Sequence, residues 1–402
     1  MYEVTVVPMK EKTALPFVVY LLGFTIFTLT TAEFMVAGMM PALAHAFDRS
    51  VGEVGYLISW YALGMALGGP LLTASVLAFR IPDKRALVGL LTFYVVASVL
   101  AALATDYAMM AAMRIVMGIA SAACIGVSLT IGAEMVAPNT RGRAAAVMLG
   151  GLMLAPVFGV PGTAFIEQAF GWRISFGSIT VFALVCTAMV ILRVPASSGP
   201  EGVSLAAEFR LLKNRRLWAA YATSGLIIGA ALAAVSYFSP IFTGLAGVSE
   251  KTVPLLLVAY GVANVVGNAV VGRFADRYTL QIQAWGLAAL TCALAGFALL
   301  AEHWLPSMIA FFLVGLTGVS LNPAMAARVM NAAQPRPLVN TMHTSVITGG
   351  IAFASWAGGA AIDGGYGLRS PLWIGCTLAV LGLLSVLPFV LGSTRNQACP
   401  AT

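Results

Sequence analysis

Twelve apolar runs divide this chain, and they constrain its fold more than any other feature. A helix needs about 20 apolar residues to cross ~30 Å of hydrocarbon, and each run is long enough. The chain is 60% apolar and only 9% charged, whereas a soluble domain carries about 25% charged residues. The sequence therefore predicts an all-α polytopic membrane protein with twelve transmembrane helices, at Leu15–Met40, Val54–Ala78, Ala86–Thr105, Tyr107–Val136, Ala144–Gln168, Ile174–Val194, Trp218–Thr243, Thr252–Gly272, Gln281–Ala301, Leu305–Arg328, Asn340–Ile362 and Pro371–Leu391.

The placement of basic residues predicts the orientation. Of the 22 lysines and arginines, Arg114 lies within a run, four fall in loops on one side (Arg49, Arg173, Lys251 and Arg369), and the other 17 fall on the opposite side. Positive charge collects in cytoplasmic loops, so both termini are expected in the cytoplasm, in a multi-pass protein of the inner (plasma) membrane. This distribution explains the net charge of +7 without a nucleic-acid partner. The first run is too long for the apolar core of a signal peptide, so we expect it to remain as a span.

No motif points to catalysis or to a resident metal. Four of the five cysteines lie in spans and none belongs to a C-x-x-C or metal-ligand pattern. A P-loop, a nucleophile elbow and an H-E-x-x-H motif are all missing from the sequence. We therefore expect no enzyme activity, no metal and no cofactor, and an ion gradient as the source of energy.

The two halves of the chain repeat each other. "IEQAFGWRIS" at residue 166 matches "IDGGYGLRSP" at residue 362, which aligns Glu167 with Asp363 at an offset of 196. "SVLAFR" at residues 75–80 matches "GRFADR" at residues 272–277 at an offset of 197. Parallel repeats of six spans are typical of transporters whose halves rock about a midplane site. We expect bundles at residues 1–194 and 218–402 and a cytoplasmic linker at 195–217, where "SLAAEFRLLKNRR" is predicted to form a basic amphipathic helix.

Several motifs, in order, resemble those of the major facilitator superfamily across essentially the whole chain. "GRFADR" matches the family's G-x-x-x-D-R loop, and "RIVMG" at residues 114–118 matches the R-x-x-x-G pattern of its fourth span. "GGLMLAPVFGVPG" at residues 150–162 is similar to the fifth span of proton-coupled exporters. "EFMVAGMMPALA" and "WYALGMALGGPLLT" resemble the arabinose-efflux and chloramphenicol-efflux branch of the drug–proton antiporters. The resemblance implies a monomer that carries small molecules by alternating access.

The same resemblance assigns conformational roles. Asp276 is expected to latch neighbouring helices by ion pairs, whereas Phe79 occupies the matching position of the first copy and cannot. In the fifth span, small residues allow close helix approach and prolines remove backbone donors and bend the helix. The residues with predicted conformational roles are Gly272, Asp276, Arg277, Arg80, Gly151, Pro156, Gly159 and Pro161.

Two opposite charges within spans form the main candidate site. Glu33 lies eight residues before Pro41, and Arg114 lies eight residues after Asp106, so both are about 12 Å from the same membrane face at 1.5 Å per residue. A carboxylate at this depth is a functional candidate by default. Glu33 could carry protons, bind a cationic or hydroxyl-bearing substrate, or serve only as the structural partner of Arg114.

Weaker candidates complete the site. His343 is the only histidine in a predicted span and is a second candidate for proton coupling, although an interfacial helix-end histidine would look the same. Asn264 and Asn268 are better explained by helix packing. The predicted substrate cavity comprises Thr30, Glu33, Trp60, Tyr61, Tyr237, Phe238 and Asn322.

These features together predict a secondary transporter that exports a small amphiphilic compound or drug, such as an antibiotic, in exchange for protons. The alternative is an exporter of the same fold for a metabolite such as a sugar or nucleoside. Proton-coupled uptake fits the exporter-like fifth span less well. An intramembrane enzyme would need a catalytic constellation in its spans, and a receptor or scaffold would not need duplicated halves with buried charges.

Overall fold

Twelve helices long and apolar enough to cross a membrane make up the computed structural model, which describes residues 15–137, 140–196, 210–333 and 337–398. We number them α1 to α12 in chain order: Phe17–Gly38, Val51–Val76, Asp83–Ala102, Tyr107–Glu134, Arg141–Phe170, Trp172–Arg193, Arg215–Ser236, Glu250–Phe274, Thr279–Leu300, Trp304–Ala332, Leu338–Tyr366 and Ser370–Leu391. Short helices Met40–Phe47 and Phe238–Gly244 follow α1 and α7. The predicted twelve-helix fold is confirmed.

Helix packing follows the sequence repeat. In the first half α1 packs against α5 and α6, α2 against α4, and α3 against α4 and α6. The second half has the same set, with α7 against α11 and α12, α8 against α10, and α9 against α10 and α12. Between the halves, α2 packs along α11 and α5 along α8. The result is two six-helix bundles joined at two seams.

Local chemistry explains where helices begin and bend. The Asp106 side chain accepts a hydrogen bond from the Met109 backbone N–H at 2.9 Å and caps the start of α4. Helix α5 changes to a π-helical turn at Ala155–Gly159, which contains Pro156. Proline has no backbone N–H, so the α-helical ladder cannot continue unchanged through this position. The predicted irregularity of the fifth span is present.

One prediction about the loops is wrong, and another concerns residues outside the described ranges. Arg328, counted above among the inner loop charges, lies within α10 and is buried. The apolar run ended at this residue, but the helix continues to Ala332 because "VMNA" still favours helix. Most of the predicted linker and its amphipathic helix lie outside the described residues.

We call the end of the bundle that carries Asp48 and Asp363 the outer end and the end that carries Asp276 the inner end, according to the predicted orientation.

Candidate functional site

Glu33 lies near the outer end of α1 and is buried within the first bundle. Its side chain is 6% exposed. The helix ends at Gly38, three residues before Pro41. Glu33 therefore lies about 7.5 Å from the helix end, about 4.5 Å less than the depth of about 12 Å predicted from Pro41. Arg114 is fully buried on α4, and its guanidinium reaches the backbone of residue 33. The prediction that the two residues share one level is confirmed.

The Arg114 guanidinium binds backbone carbonyls rather than the Glu33 carboxylate. Nη1 donates to the carbonyl oxygen of Ala32 at 2.6 Å, Nη2 to that of Glu33 at 2.8 Å, and Nε to that of Leu57 at 3.1 Å. Its carbon Cζ lies 4.2 Å from the centre of the Tyr61 ring, in cation–π geometry. Arg114 therefore ties α4 to α1 and α2 through main-chain atoms.

The Glu33 carboxylate has no hydrogen-bond or salt-bridge partner among the described residues, although its charge interacts with that of Arg114. No described residue donates a hydrogen bond to it or forms an ion pair with it. The two side chains form no direct hydrogen bond, because three carbonyl oxygens from two helices surround the guanidinium. A buried carboxylate without a hydrogen bond is expensive in its charged form, and the role of Glu33 stays a prediction.

Tyr61, Tyr94 and Ser121 form a polar cluster beside Arg114. Tyr61 is fully buried and donates its hydroxyl to the Leu29 carbonyl oxygen at 3.2 Å. The hydroxyls of Tyr94 and Ser121 lie near that of Tyr61, yet neither forms a hydrogen bond of good geometry with a described residue. Tyr94 and Ser121 were missed by the sequence analysis. Their only signal was a hydroxyl within an apolar run, which many packing residues share.

The remaining predicted cavity residues separate into different environments. Thr30 is buried on α1, three residues from Glu33, and its hydroxyl has no partner. Asn322 is half-buried and begins the inner helix of α10. Tyr237 is buried and donates its hydroxyl to the Ser355 carbonyl oxygen at 2.5 Å. Asn264 on α8, assigned above to packing, is also buried, and its side-chain oxygen has no partner.

Two of the predicted aromatic cavity residues have contrasting environments. Trp60 is 37% exposed and shares an i, i+7, i+11 row with the exposed Leu67 and Leu71. Phe238 is fully buried in the second bundle and stacks on Phe311 with ring centres 5.4 Å apart. Their assignment to the cavity stays a prediction.

His343 lies at the inner end of α11, against α7. One ring nitrogen, Nε2, lies 2.9 Å from the Ser224 hydroxyl, and the ring stacks on Tyr221. No carboxylate of the described residues forms an ion pair with it. Its role in proton coupling stays a prediction.

A second buried arginine, Arg328, was missed as a site residue. Its Nη1 donates to the Thr223 hydroxyl and to the Gln283 side-chain oxygen, each at 3.0 Å. Nη2 is buried without a partner, and the guanidinium lies over the Phe389 ring. Among the described residues no carboxylate neutralises it. Because it lies at the end of an apolar run, the sequence analysis assigned it to a loop.

The predicted conformational residues of the fifth span lie where helices touch. A Cβ atom at Gly151 would overlap the Gly23 carbonyl oxygen of α1, and one at Gly159 would overlap the Thr31 side chain. Pro156 lies against Gly261 of α8, at the seam between the bundles, and Pro161 follows in the first turn of Val160–Phe170. Close approach at these positions requires glycine.

The inner loop motifs are open to solvent. Asp276 and Arg277 are exposed, and Asp276 forms no ion pair with another described residue. Gly272 faces Pro323 of α10. Arg80 is exposed and adopts the left-handed backbone conformation, with φ of 49°. In this conformation the expected latch at Asp276 is not formed, because no basic side chain of the described residues approaches it.

The chain was compared with known families and proteins. The model of the Major Facilitator Superfamily matches residues 22–301 and 245–398. The chain belongs to the major facilitator superfamily. A chloramphenicol resistance protein of Streptomyces lividans is 30% identical over 393 residues, which cover 96% of this chain and 100% of the relative.

More distant members show the breadth of this family. The inner membrane transport protein YdhP of Escherichia coli K12 is 28% identical over 90% of this chain and 92% of its own. A probable sugar efflux transporter of Mannheimia succiniciproducens is 26% identical, with 96% of each chain covered. A crystal structure of a D-xylose–proton symporter superposes with a TM-score of 0.71 at 17% identity, covering 92% of this chain and 95% of its own. That superposition shows the fold.

Proposed function

We propose that this transporter exports a small amphiphilic compound in exchange for protons, with Glu33 as the proton carrier. The observation that carries the proposal is the Glu33 carboxylate, which is buried and makes no hydrogen bond or salt bridge with a described residue. A permanently charged carboxylate at this depth would need close pairing with a counter-ion. The Arg114 charge interacts with it, but the guanidinium donates its hydrogen bonds to main-chain oxygens instead. A carboxyl group that takes up and releases a proton meets the requirement.

Unpaired polar atoms in both bundles support a substrate that forms hydrogen bonds. Thr30 in the first bundle and Asn264 in the second each have a buried oxygen without a hydrogen bond from a described residue. Buried polar groups in proteins are normally paired, by water or a ligand where protein groups are lacking. A compound with an apolar body and a few hydroxyl or amide groups could pair with such atoms when the bundles open.

Two relatives guide the choice of compounds. One is named a chloramphenicol resistance protein and another a probable sugar efflux transporter. The first is closer in sequence and supports a drug-like amphiphile; the second keeps a metabolite as the alternative. Counterflow in proteoliposomes with a panel of phenicols, other amphiphilic antibiotics, pentoses and nucleosides would separate the two classes.

The proton carrier is tested by Glu33→Gln. Glutamine is nearly the same size, forms hydrogen bonds and cannot ionise, so we expect the variant to fold and to bind substrate. Transport driven by a pH gradient should be lost, by about 100-fold or more, while exchange of substrate for substrate persists. Glu167→Gln, a matched loss of a half-buried carboxylate at the outer end of α5, should keep gradient-driven transport.

Proton release on substrate binding in detergent gives an independent measurement. The wild type should release protons, and Glu33→Gln should not. If the variant releases protons as the wild type does, Glu33 is not the carrier, and His343 is the next residue to test. If Glu33→Gln loses exchange and stability together, Glu33 is a structural residue instead.

We also propose that the protein lies in the cell's inner membrane with both termini in the cytoplasm. The support is the uneven distribution of lysine and arginine between the loops. Alkaline phosphatase fused after Thr402 should be inactive, because this reporter works only outside the cytoplasm. Strong activity of the fusion would reverse the orientation.

A further inference from the structure

Two arginines are buried among the described residues, Arg114 in the first bundle and Arg328 in the second. Every guanidinium nitrogen of Arg114 donates a hydrogen bond to a main-chain oxygen. The guanidinium of Arg328 is less completely satisfied, because its Nη2 is buried and has no hydrogen-bond partner. A buried donor without an acceptor is costly, and more so when it carries charge. Arg328 therefore needs an explanation beyond packing.

The partners that Arg328 does have are neutral. Its Nη1 donates to the Thr223 hydroxyl of α7 and to the Gln283 side-chain oxygen of α9, each at 3.0 Å. Thr223 in turn donates to the Ala219 carbonyl oxygen at 2.9 Å, and the Gln283 amide to that of Ala324 at 3.1 Å. No carboxylate that the structure describes forms an ion pair with Arg328. The described residues thus leave its positive charge uncompensated.

Helix packing does not require this polar cluster. At the offset of 197, the counterparts of Arg328, Thr223 and Gln283 are all apolar and buried in the first bundle; in the same order they are Ile131, Ile26 and Ala86. Buried ionic groups can often be replaced by apolar residues without loss of stability. A ligand explains the charged cluster of the second bundle better than stability does.

Arg328 lies at the depth where lipid headgroups begin. Helix α10 has 29 residues, about 43 Å at 1.5 Å per residue, which exceeds the ~30 Å of the hydrocarbon core by about 13 Å. A centred helix would therefore extend about 6 Å beyond the hydrocarbon at each end. Arg328 lies four residues before the end of this helix at Ala332, or about 6 Å. This is the boundary between hydrocarbon and headgroups at the inner end.

One aromatic ring separates the guanidinium from the outside of the bundle. Phe389 of α12 lies over it, with 4.9 Å between Cζ of Arg328 and the ring centre. Phe389 is itself 38% exposed, on a surface that lipid would cover. Exposed side chains change rotamer within picoseconds to nanoseconds. Rotation of this single ring would give an anion access to Nη2.

We propose that Arg328 is the centre of a phosphate-binding site at the inner end of the second bundle. A guanidinium matches the geometry of phosphate oxygens, and basic pockets between helices on the cytoplasmic side of membranes bind phosphate headgroups. In this site Nη2 donates to a phosphate oxygen, while Nη1 keeps its bonds to Thr223 and Gln283. The phosphate belongs to an inner-leaflet lipid or to a free phosphate anion, and its charge compensates the buried cation.

Thermal unfolding of the delipidated protein in detergent tests the site. Three probes are added separately at equal ionic strength: phosphatidylglycerol, a glucosyl diacylglycerol with the same acyl chains but no phosphate, and inorganic phosphate. We expect at least one phosphate-bearing probe to raise the unfolding midpoint by about 3 °C or more. The phosphate-free lipid should raise it by less than about 1 °C.

The same three probes identify the source of the phosphate. A shift with phosphatidylglycerol alone assigns the site to a lipid headgroup, and a shift with inorganic phosphate shows that the free anion suffices. Equal shifts with the two lipids would mean that acyl chains stabilise the protein, and would overturn the proposal. The absence of a shift with any probe would overturn it as well.

Two variants locate the effect at Arg328. Arg328→Gln removes the charge, whereas Gln283→Glu places a carboxylate where an amide oxygen now accepts from Nη1 at 3.0 Å. In the second variant the counter-ion is built into the chain, and the new ion pair offsets the lost hydrogen bond to Ala324, so we expect it to fold. Each variant should lose more than half of the shift caused by phosphate.

The matched control is Arg273→Gln, which removes an exposed arginine at the inner end of α8. It should keep the full shift, because a surface arginine interacts with phosphate only weakly. More than half of the shift remaining in either Arg328→Gln or Gln283→Glu would overturn the proposal. Loss of the shift in Arg273→Gln would do the same.

Native mass spectrometry gives a measurement that does not depend on thermal stability. At a limiting amount of phosphatidylglycerol or of phosphate, the wild type should retain one bound molecule. Arg328→Gln should retain at least about tenfold less, because hydrogen bonds to charged groups are among the strong ones. Equal retention by the two proteins would place the phosphate elsewhere. Glu33 lies in the other bundle, so these results are independent of the proposed proton carrier.

Discussion

The two bundles share one pattern of helix packing but bury different side chains within it. "RIVMG" in α4 and "FFLVG" in α10 coincide at an offset of 197, so Gly118 corresponds to Gly315. Each glycine lies against a backbone carbonyl of the neighbouring helix, that of Tyr61 in the first bundle and of Tyr260 in the second. The packing of the duplicated helices has therefore been kept.

The side chains one turn away differ completely. Arg114 corresponds to Phe311, which stacks on Tyr260 with ring centres 5.0 Å apart in a cluster of aromatic rings. Glu33 corresponds to Ala230, which is fully buried. The first bundle thus buries two charged side chains where the second buries aromatic and aliphatic ones. Duplication conserved the helix packing, and among the described residues the charges buried at this level belong to the first bundle.

The most severe test of this difference is to place the carboxylate in the wrong bundle. Ala230→Glu puts a charge among aromatic and aliphatic side chains, at a cost of about 3 kcal/mol for a carboxylate at membrane depth. We expect little folded protein by fluorescence-detected size exclusion. Ala230→Gln, which adds the same bulk without the charge, is the control and should lose less. Equal yields of the two variants would mean that both bundles tolerate charge at this level.

A smaller effect is expected when position 114 keeps a positive charge but loses the planar guanidinium. Arg114→Lys replaces five fixed donors by a point charge that cannot reach three carbonyl oxygens on two helices. We expect a loss of about 2–4 kcal/mol, because hydrogen bonds to charged groups contribute about 1.5–3 kcal/mol each. Thermal unfolding in detergent measures it. Phe311→Leu, the matched change in the second bundle, should lose less, about 1.5 kcal/mol.

The smallest expected losses of stability are those on removing the hydroxyl of either tyrosine beside Arg114, Tyr61 or Tyr94. Tyr61 donates a hydrogen bond to the Leu29 carbonyl oxygen, whereas the Tyr94 hydroxyl forms no hydrogen bond of good geometry with a described residue. Tyr61→Phe should therefore lower the free energy of unfolding by about 1 kcal/mol, and Tyr94→Phe should change it by less than about 0.5 kcal/mol. The same unfolding measurement suffices. A larger loss for Tyr94→Phe would show that its hydroxyl binds a buried water or ligand.

Much of the fold and part of the site could be predicted from the sequence. Twenty-residue apolar runs identify spans because the bilayer sets their length, and Pro156 marks the irregular turn because it lacks a donor. Counting residues from the ends of the spans placed Glu33 and Arg114 at one level. The same counting could not tell which oxygen Arg114 binds, because backbone carbonyls are identical in every sequence.

Where the sequence misled, the cause is of the same kind. Arg328 was assigned to a loop because apolar runs end at charges, but a helix can bury an arginine against polar partners on two neighbouring helices. Side-chain direction depends on neighbours that are distant in the chain, and a single sequence does not specify them.

The three carbonyl oxygens that bind the Arg114 guanidinium have a consequence for genetics. Its oxygen atoms belong to the main chain of Ala32, Glu33 and Leu57, so no substitution at these positions can delete them. A screen for second-site suppressors of Arg114 variants should consequently return changes in helix spacing or bulk, and never a compensating charge. Residues 32 and 57 are likewise free to drift in sequence while the interaction that they provide stays constant.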